Sequence, residues 1–140
     1  LVFFDIEVFP NLFLVVFKKY RQEKVYWFNP TPQQIETLLT YNLIGFNCRR
    51  YDNHMLYGCL LGKSNIELYQ LSKSLIVSSP NAFYANAYNF SYADIYEYAS
   101  NKQSLKKYEI EMGILHDEFE YDWDKKKVKK LLRDEKLQFS

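Results

Sequence analysis

The sequence has little cysteine, no long apolar run and almost no net charge. Two cysteines, Cys48 and Cys59, are too few for a disulfide framework, so a reducing, cytoplasmic setting is expected. No apolar run approaches the roughly 20 residues that cross a bilayer, and we therefore expect a soluble protein with no membrane partner. The formal net charge of +1 excludes a global attraction to phosphate, which must come instead from local patches.

What is abundant is aromatic and apolar side chains. Hydrophobic residues make up 48% of the chain and aromatic residues 19%, which argues for a packed, strand-containing fold. A length of 140 residues fits one domain. The chain starts without Met inside a strand pattern and stops soon after a lysine-rich stretch, so we expect a fragment of something longer.

The first part of the chain predicts an antiparallel meander of three strands, at residues 1–9, 12–17 and 24–28. Thr31 then predicts the cap of a helix that begins at Pro32 and closes at Asn42. The remaining pattern alternates helices and strands: a strand at 43–46, a helix from 52, a helix at 66–74, a strand at 90–96 and a helix at 104–112. The fold class is therefore α/β, with a mixed sheet flanked by helices.

Two carboxylates interrupt the first strand. Asp5 and Glu7 stand two residues apart, so both project from the same face of the sheet. Like charges this close lose hydration and repel one another, unless cations neutralise them or the face is open to water. Mg²⁺ and Mn²⁺ prefer carboxylate oxygens, and two such ions clamp the attacking and leaving oxygens in phosphodiester hydrolysis. The other interpretation is that both acids mark the solvent side of a half-exposed strand.

A second polar element follows the predicted strand at 43–46. Asn47 stands at the strand end and Asp52 at the helix start, with Arg49 and Arg50 between them. The arginines are candidates for phosphate contacts, although surface arginines are usually only solvated. Asp52 is also explained as a helix N-cap and Asn47 as a turn former.

Together these elements resemble the DnaQ-like (DEDD) 3′-5′ exonucleases, and most of all the proofreading domains of phage-type family A DNA polymerases. Phe4-Asp5-Ile6-Glu7 is similar to the first exonuclease motif, and Asn47, Tyr51 and Asp52 match the second. Residues 104–108, Ser-Leu-Lys-Lys-Tyr, look like the family's "SLK" helix start. The resemblance covers residues 1 to about 124 and implies a ribonuclease H-like fold.

The resemblance also implies roles and partners. Asp5 would bridge two divalent ions, Mg²⁺ or Mn²⁺, Glu7 would touch one ion and the substrate 3′ end, and Asp52 would hold the second ion. Asn47 would steady the site or the strand terminus, and Tyr51 or Phe9 would stack on a terminal base. The implied substrate is the 3′ end of single-stranded DNA, in a bacterial or phage-encoded protein whose parent chain carries a polymerase domain after this one.

The family's third motif, a Tyr or His followed after three residues by Asp, is not found. Asp134 has the spacing, but Lys130 replaces the Tyr or His. His116 and Asp117 are adjacent rather than spaced as the motif requires. The missing motif is therefore expected beyond Ser140. Two alternatives stay open: a catalytically incomplete nucleic-acid-binding module of a polymerase, and an unrelated α/β domain that acts through protein contacts.

The last residues change abruptly in charge. Acids dominate residues 117–124 and bases dominate 125–136, which predicts a solvated terminal helix. Its lysines are candidates for electrostatic attraction to DNA, but the interpretation as a solvated helix is favoured.

Overall fold

Five strands form one mixed sheet in the computed structural model, which describes residues 1–98. They are β1 (Val2–Phe9), β2 (Leu12–Lys19), β3 (Lys24–Phe28), β4 (Leu43–Gly45) and β5 (Ala93–Asp94), in the order β3-β2-β1-β4-β5. The first three strands pair antiparallel, whereas β4 runs parallel to β1 and β5 parallel to β4. The predicted meander and the mixed α/β sheet are both confirmed.

Within residues 1–98, three α-helices accompany the sheet: α1 (Pro32–Leu38), α2 (Asp52–Leu60) and α3 (Asn65–Ile76). Thr31 caps α1 as predicted, because its hydroxyl accepts the backbone N–H of Gln34 and the Gln34 side chain accepts the N–H of Thr31. The helix ends at Leu38 rather than Asn42, since the following backbone groups close tight turns. The predicted helices at 104–112 and 125–136 lie outside the described residues.

The core lies against one face of β1. Phe4 and Ile6 point into it, together with buried residues of α1 and α2 such as Ile35 and Met55. Asp5 and Glu7 alternate with these core residues and are only half-buried. A register slip of one residue would bury both acids and expose the core set, so the apolar pattern fixes where the acids point. Cys48 and Cys59 are free thiols buried among apolar side chains, as predicted.

The segment after α3 differs from its prediction. A strand was expected at 90–96, but β5 holds only Ala93 and Asp94, and 3₁₀ turns flank it at Ala85–Phe90 and Ile95–Tyr98. The strand ends early because the Asp94 carboxylate accepts the backbone N–H of Tyr96, 3.0 Å away, and so competes with the sheet for that donor. Within residues 1–98, no helix is long and apolar enough to cross a membrane.

Candidate carboxylate site

The strand β1 carries the first two acids of the site. Asp5 and Glu7 lie on the face opposite Phe4 and Ile6, because neighbouring side chains of a strand point to opposite sides. One oxygen of Asp5 accepts the backbone N–H of Ile6 at 2.9 Å, which fixes the carboxylate near the strand. Both acids therefore have defined positions on a rigid central strand.

The connection from β4 to α2 delivers the third acid. Asn47 adopts the left-handed conformation, with φ of 53°, and a 3₁₀ turn over Cys48–Arg50 follows it. Gly45 permits this close turn, since a Cβ there would lie 2.8 Å from the Cβ of Cys48. Asp52 then begins α2. The interpretation of Asp52 as an N-cap is wrong, because Tyr51 occupies that position and no side chain caps the helix.

A fourth acid, Asp94, holds this connection in place. It is buried at the end of β5, and its Oδ1 accepts the backbone N–H of Asn47 at 2.7 Å. Its Oδ2 accepts the N–H of Arg49 at 3.1 Å. With the bond to Tyr96, this one carboxylate satisfies three backbone donors. Asp94 thus binds the backbone of Asn47, while the role predicted for Asn47 in steadying the site stays a prediction.

Electrostatics place Asp52 among the other acids. Its side chain is buried, with 5% of its surface exposed. Burial raises the pKa of Asp52 well above its usual value, and the negative charges of Asp5, Asp94 and Glu7 raise it further. A carboxyl in this position resists ionisation unless positive charge is supplied.

The pKa of Tyr51 is affected by the same acids. Burial raises the pKa of its phenol, and so do the charges of Asp52, Glu7 and Asp5, while a hydrogen bond with Ser72 lowers it. The Tyr51 hydroxyl lies 2.6 Å from the Ser72 hydroxyl on α3. Asp5, Glu7 and Asp52 are therefore close enough to influence two different side chains. The Tyr51 side chain packs against the core, and its hydroxyl meets α3. Its stacking on a terminal base stays a prediction.

The remaining predicted site residues are Phe9 and, beyond the described residues, Asp134. Phe9 ends β1 and pairs with Leu12 across the hairpin. Phe9 stands two residues after Glu7 in this strand, so it projects from the same face as both acids. Its stacking on a terminal base stays a prediction. Asp134 and the segment 104–108 lie outside the described residues.

The negative charge and the carboxylate oxygens of the site suit a divalent cation, but the described residues are not arranged as a complete set of ligands. Carboxylate oxygens are the donors that Mg²⁺ and Mn²⁺ prefer. Acids that repel one another around a buried carboxyl are unfavourable, and a bound cation would relieve this repulsion. Among residues 1–98, however, no three His, Cys, Asp or Glu side chains are grouped so that they could hold a metal ion. The described residues thus supply the charge and the donor chemistry without a finished ligand set.

Sequence reasoning missed two residues here, Asp94 and His54. Asp94 lies in the predicted strand that follows the loop, and a signal existed, because the carboxyl ends of neighbouring parallel strands meet at one edge of a sheet. His54 is buried in α2 beside the site. Its Nδ1 accepts the backbone N–H of Tyr84 at 3.0 Å, so its Nε2 carries the proton and donates to the Arg49 carbonyl at 2.9 Å.

His54 makes the stability of the protein depend on pH. Burial lowers the pKa of His54 below its ordinary value of 6.5. The folded state then binds fewer protons than the unfolded chain, so the stabilisation is present above about pH 6.5 and is lost as the pH falls through the folded pKa. Protonation also removes the bond from Tyr84, worth about 1 kcal/mol. We expect the free energy of unfolding in urea to fall more between pH 7.5 and 5.5 in the wild type than in His54→Gln. Equal pH dependence of the two proteins would contradict this role.

Comparisons with known proteins add no family. No protein-family model matches the chain, and no curated protein or solved structure matches it at a significant level. What the site does is therefore argued from its residues and their geometry.

Proposed function

We propose that the chain is the metal-binding part of a 3′-5′ exonuclease that hydrolyses phosphodiester bonds at the 3′ end of single-stranded DNA. The observation that carries the proposal is the buried carboxyl of Asp52, at the start of the helix that follows the strand next to β1. Burial raises the pKa of this carboxyl, and the charges of Asp5, Asp94 and Glu7 raise it further. A like-charged cluster that lowers stability is typical of a functional site rather than of a structural one. The two motifs that resemble the DnaQ-like family supply these same three acids.

The sheet supports the proposal at the level of the fold. An antiparallel meander followed by parallel strands with helices between them is the arrangement that a ribonuclease H-like domain implies. In this arrangement Asp5 and Glu7 lie on the central strand β1, and Asp52 lies just after the adjacent strand β4. Acids from two separate segments therefore lie on, or just after, two neighbouring strands, which supports the proposal.

Asp5, Glu7 and Asp52 would hold the divalent ions. When bound, such ions supply the positive charge that stabilises the attacking and leaving oxygens of phosphodiester hydrolysis. The chain's own contribution is to fix the acids: β1 positions two of them, and Asp94 fixes the turn that leads to Asp52. Ligands from outside residues 1–98 would complete the set.

A labelled single strand tests the proposal. We expect a 5′-labelled DNA strand with Mn²⁺ to shorten from its 3′ end in steps of one nucleotide, and the shortening to stop with a chelator. Asp52→Asn protein, purified in the same way, controls for a contaminating nuclease. Equal shortening by the wild type and by Asp52→Asn would contradict the role of these acids in cleavage.

A second function stays in view because the described residues lack a complete ligand set. In that case the domain is a nucleic-acid-binding module of a polymerase that does not cleave. Retention of the single strand by the protein, with no shortening under any divalent ion, would favour this second function.

A further inference from the structure

A pocket of about 550 Å³ lies beside the loop that leads to Asp52. Its walls include Arg49, Arg50, Phe83, Tyr84 and Tyr88. The volume is within the range of pockets that bind small ligands, and the lining joins aromatic rings with guanidinium groups. Such a lining suits a flat ring that carries a negative charge.

The two arginines differ in how much of their charge is available. Arg49 forms an ion pair with Glu97, with 3.2 Å between Nε and Oε1, and its Nη2 donates to the Tyr92 carbonyl. Its guanidinium also lies 4.7 Å from the centre of the Tyr88 ring. Arg50 is exposed, and its guanidinium lies 5.9 Å from the centre of the Phe83 ring. No acid among residues 1–98 forms an ion pair with Arg50, so within this part of the chain its charge is open to an anion.

Bonds to the start of α2 hold the pocket in shape. His54 accepts the backbone N–H of Tyr84, and the Asn53 amide donates to the Tyr88 carbonyl at 3.1 Å. The Tyr84 ring packs against Tyr57, with 4.6 Å between ring centres. The ring of Tyr88 is 49% exposed and lies at the rim of the pocket. A ligand therefore meets walls that are already formed, which limits the entropy lost on binding.

The pocket is separate from the carboxylate site but adjoins it. Asp52 and His54 are two residues apart in α2, which places them about 200° apart around the helix axis. Asp52 faces the acids, whereas His54 lines the pocket. Arg49 joins the two sites, because its backbone N–H binds Asp94 while its side chain lines the pocket.

We propose that this pocket binds one nucleotide of the single strand at a distance from the reacting 3′ end. The base would stack against Phe83 or Tyr88 and the phosphate would meet Arg50, since bases stack on aromatic rings and arginine binds phosphate. The nature of the ligand rests on the proposed function. The pocket itself does not depend on metal or on cleavage.

Binding of a fluorescein-labelled 12-nucleotide oligo(dT) in EDTA tests this subsite, because no cleavage occurs there. We expect Arg50→Gln and Tyr88→Leu each to raise the Kd about tenfold. We also expect Arg50→Gln to reduce the slope of log K against log salt by about 0.7, the share of one phosphate contact on a single strand. The matched control is Arg21→Gln, which removes another arginine that lies over a ring, 5.1 Å from Tyr20 in the β2–β3 turn. Its Kd should stay within about twofold of wild type.

Unfolding curves of the variants keep loss of binding separate from loss of the fold. If Arg50→Gln and Tyr88→Leu bind as Arg21→Gln does, the subsite is overturned while the exonuclease proposal stands. If wild-type protein does not bind the oligonucleotide, the subsite is also overturned, and the shortening assay decides the proposed function by itself. Weaker binding by both folded pocket variants, together with no shortening of the strand by the wild type in Mn²⁺, would support the subsite and count against the exonuclease.

Discussion

Asp52→Asn is expected to stabilise the metal-free protein by about 1–2 kcal/mol at neutral pH while removing the proposed nuclease activity. Asparagine has nearly the shape of aspartate and carries no charge. The substitution therefore removes both causes that raise the pKa of Asp52, namely burial of a charge and repulsion from Asp5, Asp94 and Glu7. A charge that lowers stability where it stands is typical of a functional site, which supports the function proposed above.

The stability gain should depend on pH in a defined direction. The pKa of Asp52 is raised in the folded protein above its ordinary value of 3.8. The folded state then holds a proton that the unfolded chain has released, so stability is present below about pH 3.8 and is lost as the pH rises through the folded pKa. The advantage of Asp52→Asn should be absent near pH 3.8 and complete above the folded pKa.

Urea unfolding in EDTA measures this effect at both ends of the pH range. The matched control is Glu36→Gln, which removes an exposed acid from α1 and should change the free energy of unfolding by less than about 0.5 kcal/mol. An Asp52→Asn protein that is less stable than wild type at neutral pH would contradict the electrostatic account. A stability gain of Asp52→Asn that is as large near pH 3.8 as at neutral pH would also contradict it.

The placement of Asp5 and Glu7 was predictable because it depends on local geometry. The two-residue period of a strand and the apolar residues at Phe4 and Ile6 decide which way both acids point. The start of α2 was also predictable, since apolar side chains at helical spacing follow Asp52. The N-cap of α2 was not predictable, because the 3₁₀ turn before the helix places Tyr51 at that position.

The role of Asp94 and the pocket depend on contacts between distant segments. Asp94 binds the backbone of Asn47 and Arg49, which stand 47 and 45 positions earlier in the chain. The strand that carries Asp94 has two residues and is too short to show a period. The pocket forms because His54 and Asn53 bind backbone groups of a segment that reads as a polar loop. Composition and spacing do not encode which backbone donor such a side chain will meet, so these features required the folded structure.

Asp94→Asn is expected to have the opposite effect on stability from Asp52→Asn, although both exchange a buried acid for an amide. The Asp94 carboxylate accepts three backbone N–H groups, at 2.7, 3.0 and 3.1 Å. Asparagine offers one oxygen and one NH₂ group, so at least one donor would face another donor. We expect a loss of about 2 kcal/mol, because unsatisfied buried donors and lost bonds to a charged acceptor each cost this order of energy. Relief of the repulsion between Asp94 and Asp52 is the smaller effect, since Asp94 binds its donors directly.

The same substitution should lower the rate of strand shortening by about 10- to 100-fold, the usual range when a group that orients a ligand is lost. The cause is displacement of the turn from Asn47 to Asp52, which Asp94 holds at two backbone positions. Residual activity would distinguish such a positioning residue from Asp52, whose replacement is expected to leave none. Unfolding curves and cleavage rates of the two variants, measured side by side with Glu36→Gln, separate the roles. A stabilised Asp94→Asn protein would show that this acid adds to the charge cluster more than it supports the loop.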